Sequence, residues 1–63
     1  MNAAELRELL NLMGWTEAGL ADRLMCSERS IQRYLSGERP IKARFIPYLR
    51  RSLDKARKER GAA

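Results

Sequence analysis

The sequence predicts a compact all-α domain of four short helices, with room for a fifth short turn. Apolar residues recur at the three- and four-residue spacing of amphipathic helices. β-Branched residues are scarce, with no valine, three isoleucines and one threonine. Asn, Thr or Ser precedes each of the first three helical segments, and such residues are preferred N-caps. A chain of 63 residues holds one small core. We place the domain at residues 1–58 and a frayed basic tail at residues 59–63.

The first helix is predicted from about Ala3 to Met13. Asn2 is a good N-cap, and Glu5, three residues later, completes a capping-box pattern. Gly14 fits the position after the helix, where a left-handed residue ends it. The apolar stripe of this helix consists of Leu6, Leu9, Leu10 and Met13.

The second helix is predicted to begin after Thr16, a natural N-cap, and to end near Met25. Gly19 weakens this helix by up to about 1 kcal/mol relative to alanine. We attribute its presence to the close approach of another helix. The inward residues are Leu20, Ala21 and Leu24.

The third helix is predicted to begin after its N-cap Ser27 and to stop at Ser36, with Gly37 past the end. Only the residues "MCS" separate it from the second helix. Two short helices joined by so tight a turn form a helix-turn-helix. At 100° per residue, the apolar and the long polar residues of the third helix fall on opposite sides. The apolar side holds Ile31, Tyr34 and Leu35.

The fourth helix follows the loop "GERPI", with a predicted start near Lys42–Arg44 and an end near Arg57. Pro47 has no N–H to donate to Ala43, so we place it close to the first turn. The residues expected to face the core or a partner are Ile46, Leu49, Leu53 and Ala56. Three aromatic residues are also expected in the core, namely Trp15, Tyr34 and Phe45.

The charge of the chain indicates a polyanionic partner. The sequence has 13 Lys+Arg and 8 Asp+Glu, a net charge of +5. Residues 1–37 carry four arginines and five acidic residues, whereas residues 38–63 carry nine basic and three acidic residues. This asymmetry favours a nucleic-acid or acidic-membrane contact on the C-terminal side.

Several function classes are disfavoured by composition. One cysteine and no histidine leave no disulfide and no Cys/His zinc site. We expect no enzymatic activity, because histidine, a metal cluster and a phosphate-binding glycine loop are all missing, and we expect no cofactor and no small-molecule ligand. No apolar run approaches the roughly 20 residues of a membrane span, and the N-terminus lacks signal-peptide features. A cytoplasmic protein is expected.

The polar residues of the third helix have side chains suited to base edges. Arginine can donate two hydrogen bonds to guanine O6 and N7, glutamine can bond adenine N6 and N7, and glutamate can accept from cytosine N4. These residues lie in the first two turns, which meet base edges when a helix-turn-helix docks. The predicted base-reading residues are Glu28, Arg29, Gln32 and Arg33. Two alternatives stay open: a phosphate contact instead of base reading for Arg33, and a role in the helix dipole alone for Glu28.

The segment "WTEAGLADRLMCSERSIQRYLSGERPI" resembles the helix-turn-helix of the phage repressor and Cro-like (XRE-type) regulators. The family pattern runs roughly T-Q-x-x-L-A-x-x-L-G-V-S-x-x-T-I-S-R-x-x-x-G-x-x-x-P. The resemblance covers about residues 6–53 and implies a lambda-repressor-like domain that binds double-stranded DNA. The small basic form is also similar to phage and prophage autorepressors, including those of anti-CRISPR loci. The matching residues are Thr16, Leu20, Ala21, Leu24, Ser27, Ile31, Arg33, Gly37 and Pro40.

Three residues depart from the family pattern. Met25 replaces the turn glycine, so either a non-glycine residue takes a positive φ or the turn differs. Cys26 replaces the usual valine and is expected to act as a small buried hydrophobe. Glu17 replaces a glutamine that often touches a phosphate, and a carboxylate there would repel phosphate although it suits the helix dipole.

Phosphate contacts are expected at helix starts and in the basic loop after the third helix. Serine and threonine caps can offer a hydroxyl or the helix N-terminus to a phosphate, and the family's loop follows the DNA backbone. The predicted phosphate-binding residues are Thr16, Ser27, Ser36, Arg39, Lys42 and Arg44. The remaining C-terminal cations are interpreted as a solvated or steering surface, namely Arg50, Arg51, Lys55, Arg57, Lys58 and Arg60.

These features together predict a sequence-specific double-stranded DNA-binding transcription regulator. We expect a repressor that reads a palindromic operator as a homodimer, with the third helix in the major groove. It would act in the cytoplasm of a bacterial or phage-infected cell, associated with the nucleoid. One alternative is an antitoxin-type module that binds a toxin as well as DNA. Another is an amphipathic membrane-binding peptide, which the caps and turn glycines disfavour.

Overall fold

The chain folds into four α-helices, and residues 1–61, which this computed structural model describes, contain no strand. The helices are α1 (Ala3–Met13), α2 (Glu17–Leu24), α3 (Glu28–Ser36) and α4 (Ile46–Gly61). A single 3-10 turn, Ala43–Phe45, precedes α4. The predicted all-α class and its fifth short turn are therefore confirmed.

Side-chain caps determine where the first three helices begin. Asn2 Oδ1 accepts the Glu5 N–H at 2.8 Å, and the Glu5 carboxylate accepts the Asn2 N–H at 3.2 Å, which is the predicted capping box. The Thr16 and Ser27 hydroxyls each accept the backbone N–H three residues later, at 3.0 and 3.1 Å. Because each cap is a local contact, the starts of α1, α2 and α3 agree with the sequence prediction.

Left-handed residues end the same three helices. Gly14 and Gly37 have φ values of 68° and 80°. Met25 ends α2 with φ 55°, so a non-glycine residue takes the positive φ that the turn requires. Its side chain is 91% exposed and packs on little of the protein. The following Cys26 is half-buried against the core rather than fully buried.

The expectation that Gly19 marks the approach of another helix is wrong. A Cβ built at this position would lie 3.1 Å from the Thr16 hydroxyl oxygen, and no other helix comes as near. The tight space is therefore between Gly19 and the side chain that caps its own helix.

The fourth helix begins at Ile46, later than the predicted start near Lys42–Arg44, where the 3-10 turn lies instead, and it also ends later than predicted. Pro47 is the second residue of α4, where a missing N–H leaves no helical hydrogen bond unmade. The predicted end near Arg57 is wrong, since α4 continues through Gly61. The extra residues are mostly Lys, Arg and Glu, which are strong helix formers. Residues 62 and 63 of the predicted tail lie outside the described residues, and the domain boundary at residue 58 stays a prediction.

The core is formed by the inward sides predicted from helical spacing. Helix α1 packs against both α3 and α4, and α2 packs against α3. Tyr34 and Phe45 are buried, whereas Trp15 is half-buried, with the Arg23 guanidinium stacked 4.1 Å from its ring centroid. Met13 and Ile46 are also only partly buried. The largest fully buried side chains are Leu6, Leu9, Leu20, Ile31, Leu49 and Leu53.

Two ion pairs join α1 to α4. Arg57 holds both carboxylate oxygens of Glu8, at 2.7 and 2.8 Å, and Arg50 contacts Glu5 at 2.9 Å. The hydrogen bonds from Arg57 lower the pKa of Glu8. The pKa of Glu5 is lowered mainly by the hydrogen bond from the Asn2 N–H, and also by the one from Arg50. The interpretation of Arg50 and Arg57 as steering charges is therefore incomplete, because each is paired with an acidic residue of α1.

Replacing Met25 with glycine should stabilise the fold by up to about 1 kcal/mol, because an L-residue in the left-handed region is strained and glycine is not. The exposed Met25 side chain has little packing to lose. Chemical denaturation measures the change. M25A is the control and should leave stability within about 0.5 kcal/mol of the wild type. Equal stabilities of M25G and M25A would contradict the strain.

Candidate nucleic-acid interface

Helix α3 has one side anchored in the core and one side exposed to solvent. Ile31, Tyr34 and Leu35 are buried. On the other side Gln32 is exposed and Arg33 is half-buried. The core contacts therefore determine the direction in which the polar side of α3 points.

A shallow groove on the surface brings most of the predicted base-reading residues together. Arg29, Gln32 and Arg33 line it, together with Ser36 and Glu38. Glu28 is exposed at the first position of α3 but does not line the groove. Glu38 was not predicted as a site residue; its position directly after Gly37 is the sequence signal that would have placed it near the end of α3.

The hydroxyls of the three residues predicted to bind phosphates already form hydrogen bonds with the backbone. Thr16 and Ser27 accept the cap hydrogen bonds of α2 and α3, and both residues are exposed. The Ser36 hydroxyl donates its one hydrogen to the Arg33 carbonyl at 3.1 Å and accepts the Glu38 N–H at 3.3 Å. In this arrangement Ser36 has no hydrogen left to donate to a phosphate.

The loop after α3 carries cations that are not neutralised. Arg39, Lys42 and Arg44 are all exposed, and within residues 1–61 none of them forms an ion pair. The Arg39 N–H donates to the Arg33 carbonyl at 3.3 Å, which fixes the start of the loop to the end of α3. The Arg44 guanidinium lies 5.0 Å from the centroid of the Phe45 ring. Positive charge therefore follows the end of α3 in the chain.

Arg7 is a positioning residue that sequence reasoning missed. Its Nη2 donates to the Leu35 carbonyl at 2.9 Å. This carbonyl is one of the last four of α3, which have no partner inside a helix. Arg7 is the only basic residue of α1 and follows the buried Leu6, a weak signal that it lies near the core. Which carbonyl it reaches depends on the tertiary packing of α1 and α3.

A second unpredicted contact involves Glu17, at the start of α2. Gln32 Nε2 donates to Glu17 Oε1 at 3.4 Å. The sequence indicated only that this carboxylate would weaken a phosphate contact. The structure gives it a partner on the exposed side of α3.

Two other kinds of site have no support in the described part of the chain. No group of three or more His, Cys, Asp or Glu side chains there is placed to hold a metal ion. Nor is any helix there both long enough and apolar enough to cross a membrane.

Comparison with models of known protein families gives a match. A family model described as Helix-turn-helix matches residues 6–46. The matched region contains most of α1, all of α2 and α3, and the 3-10 turn. No curated protein and no solved structure matches the chain.

Replacing Arg7 with methionine should destabilise the fold by about 1 kcal/mol, because the Leu35 carbonyl loses its donor while the apolar stem is kept. Thermal or chemical unfolding measures this loss. The control is R51M, which removes an exposed arginine of α4 that forms no ion pair within the described residues. Equal stabilities of R7M and R51M would show that the Arg7 contact does not hold α3.

Proposed function

We propose that this chain, which belongs to the helix-turn-helix family of DNA-binding transcription regulators, is a repressor that binds a palindromic operator as a homodimer. Helix α3 lies in the major groove and reads the bases. Helix α2 crosses the DNA backbone and sets the angle of α3.

The groove of α3 is the observation that carries this proposal. Arg29, Gln32 and Arg33 line one exposed groove, on the side of the helix opposite the buried residues. Their donor and acceptor groups suit purine edges, since arginine bonds guanine O6 and N7 and glutamine bonds adenine N6 and N7. We assign base reading to these three residues. Glu28, which lies outside the groove, stays a candidate for accepting from cytosine N4.

Phosphate binding is assigned to the basic loop and to the helix starts. Arg39, Lys42 and Arg44 are exposed and form no ion pair within residues 1–61, so the loop that follows α3 supplies positive charge. The N-termini of α2 and α3, with their caps Thr16 and Ser27, offer backbone N–H groups and the positive end of the helix dipole. These contacts set the register on the duplex but carry no sequence information.

Dimerisation follows from the needs of recognition. One short α3 covers only a few base pairs, so a second copy is needed to reach the specificity of an operator. Two copies related by a two-fold axis would read half-sites about one helical turn, roughly 34 Å, apart. Occupying such a site blocks a promoter, which is the simplest route to repression. Origin as a phage or prophage autorepressor, including one of an anti-CRISPR locus, stays a prediction from resemblance.

Binding experiments should separate the role of α3, which is to read bases, from that of the loop, which is to bind phosphates. R29A and Q32A should each cost about 1–3 kcal/mol on the operator and relax preference at one base pair. R39A and K42A should instead weaken all sequences alike, and each should reduce the slope of log affinity against log salt by about one.

Fluorescence anisotropy with the operator, its single-base-pair variants and a random duplex measures both effects. R51A is the matched control, since it removes an exposed arginine of α4 and should leave the salt slope unchanged. Base reading by α3 would be contradicted if R29A and Q32A weakened operator and random duplex to the same extent.

A further inference from the structure

The contact between Glu17 and Gln32 joins the start of α2 to the exposed side of α3. Gln32 Nε2 and Glu17 Oε1 are 3.4 Å apart. Glu17 is half-buried, whereas Gln32 is exposed and lines the groove. Within residues 1–61 Glu17 forms no ion pair, so no arginine or lysine there neutralises its charge directly.

The chemistry of this pair allows one orientation of the Gln32 amide. An ionised carboxylate can only accept hydrogen bonds, whereas a glutamine amide carries donors on nitrogen and an acceptor on oxygen. The nitrogen of Gln32 must therefore be the atom that faces Glu17. The flipped amide would place two oxygen acceptors against each other. The contact consequently leaves the Gln32 carbonyl oxygen and one N–H available to a base.

We propose that Glu17 is a specificity-determining positioning residue that selects, through the orientation of Gln32, a base carrying an amino group in the major groove. Adenine N6 and cytosine N4 can donate to the Gln32 carbonyl oxygen, and adenine N7 can also accept the remaining N–H. Guanine and thymine present only acceptors at the equivalent positions. Either can accept the remaining N–H, but the Gln32 carbonyl oxygen then has no donor and faces an acceptor. This inference rests on the proposed function and names the base class that one of its residues reads.

The charge of Glu17 acts in the same direction. A carboxylate beside the groove repels the acceptor atoms of guanine and thymine and attracts amino groups. It also repels phosphates, so it weakens binding to every duplex. Glu17 therefore lowers total affinity while increasing the difference between bases, and this difference is what defines specificity.

The test is E17Q, which keeps the size of the side chain and its ability to bond Gln32. A glutamine offers both a donor and an acceptor, so Gln32 can then adopt either amide orientation. The base pair read by Gln32 is first located with Q32A on the duplex site that the wild-type protein selects. At that pair, E17Q should reduce the preference for adenine or cytosine over guanine by about fivefold or more. Its affinity for random duplex should rise.

The matched control is E38Q, which removes one negative charge from the same groove without touching Gln32. E38Q should also bind random duplex more tightly, but it should keep the wild-type base preference at the Gln32 pair. Circular dichroism and thermal unfolding confirm that each variant is folded.

Four outcomes decide the inference. A change of preference at the Gln32 pair in E17Q and not in E38Q supports it. It is overturned if E17Q keeps the wild-type preference there, or if Q32A alters no single base pair. A wild-type protein that selects no site at all would instead overturn the proposed function, and the inference with it.

Discussion

The packing of α3 against α1 and α2 is the constraint on which the candidate interface depends. α3 spans Glu28–Ser36, and isolated helices of that length are unstable in water. It forms because Ile31, Tyr34 and Leu35 are buried, and Arg7 holds its last turn through the Leu35 carbonyl. These contacts determine the rotation of α3 about its axis. Packing on the buried side of α3 therefore determines the direction in which the proposed base-reading residues point on its exposed side.

The tight turn before α3 imposes a second constraint. Met25 must take a left-handed conformation because only three residues lie between the end of α2 and the start of α3. The backbone strain is tolerated because Cys26 packs against the core and its N–H donates to the Ala21 carbonyl at 3.0 Å.

The fold also determines which of the basic side chains form ion pairs. Two C-terminal arginines pair with glutamates of α1, whereas the cations of the loop after α3 form no ion pair within the described residues.

Local features of the structure could be predicted from the sequence, and features that depend on tertiary contacts could not. Helix starts at Asn2, Thr16 and Ser27 were predictable because each cap bonds an N–H three residues away. Spacing alone also placed Arg29, Gln32 and Arg33 on one side of α3. The partners of Arg7, Glu17 and Arg57 lie 28, 15 and 49 residues away, and no local pattern indicates them. The same limit explains why Gly19 was assigned to a helix contact that does not exist.

Selection from random duplex DNA at physiological salt tests the central claim most directly, because it requires base reading and two-fold symmetry at once. The account predicts an enriched palindrome whose half-site centres are about 10 base pairs apart, as expected for two copies of α3 in successive major grooves. A pool in which no motif is enriched, although the protein still binds DNA, would contradict sequence-specific recognition by α3. An enriched motif without two-fold symmetry would contradict the homodimer.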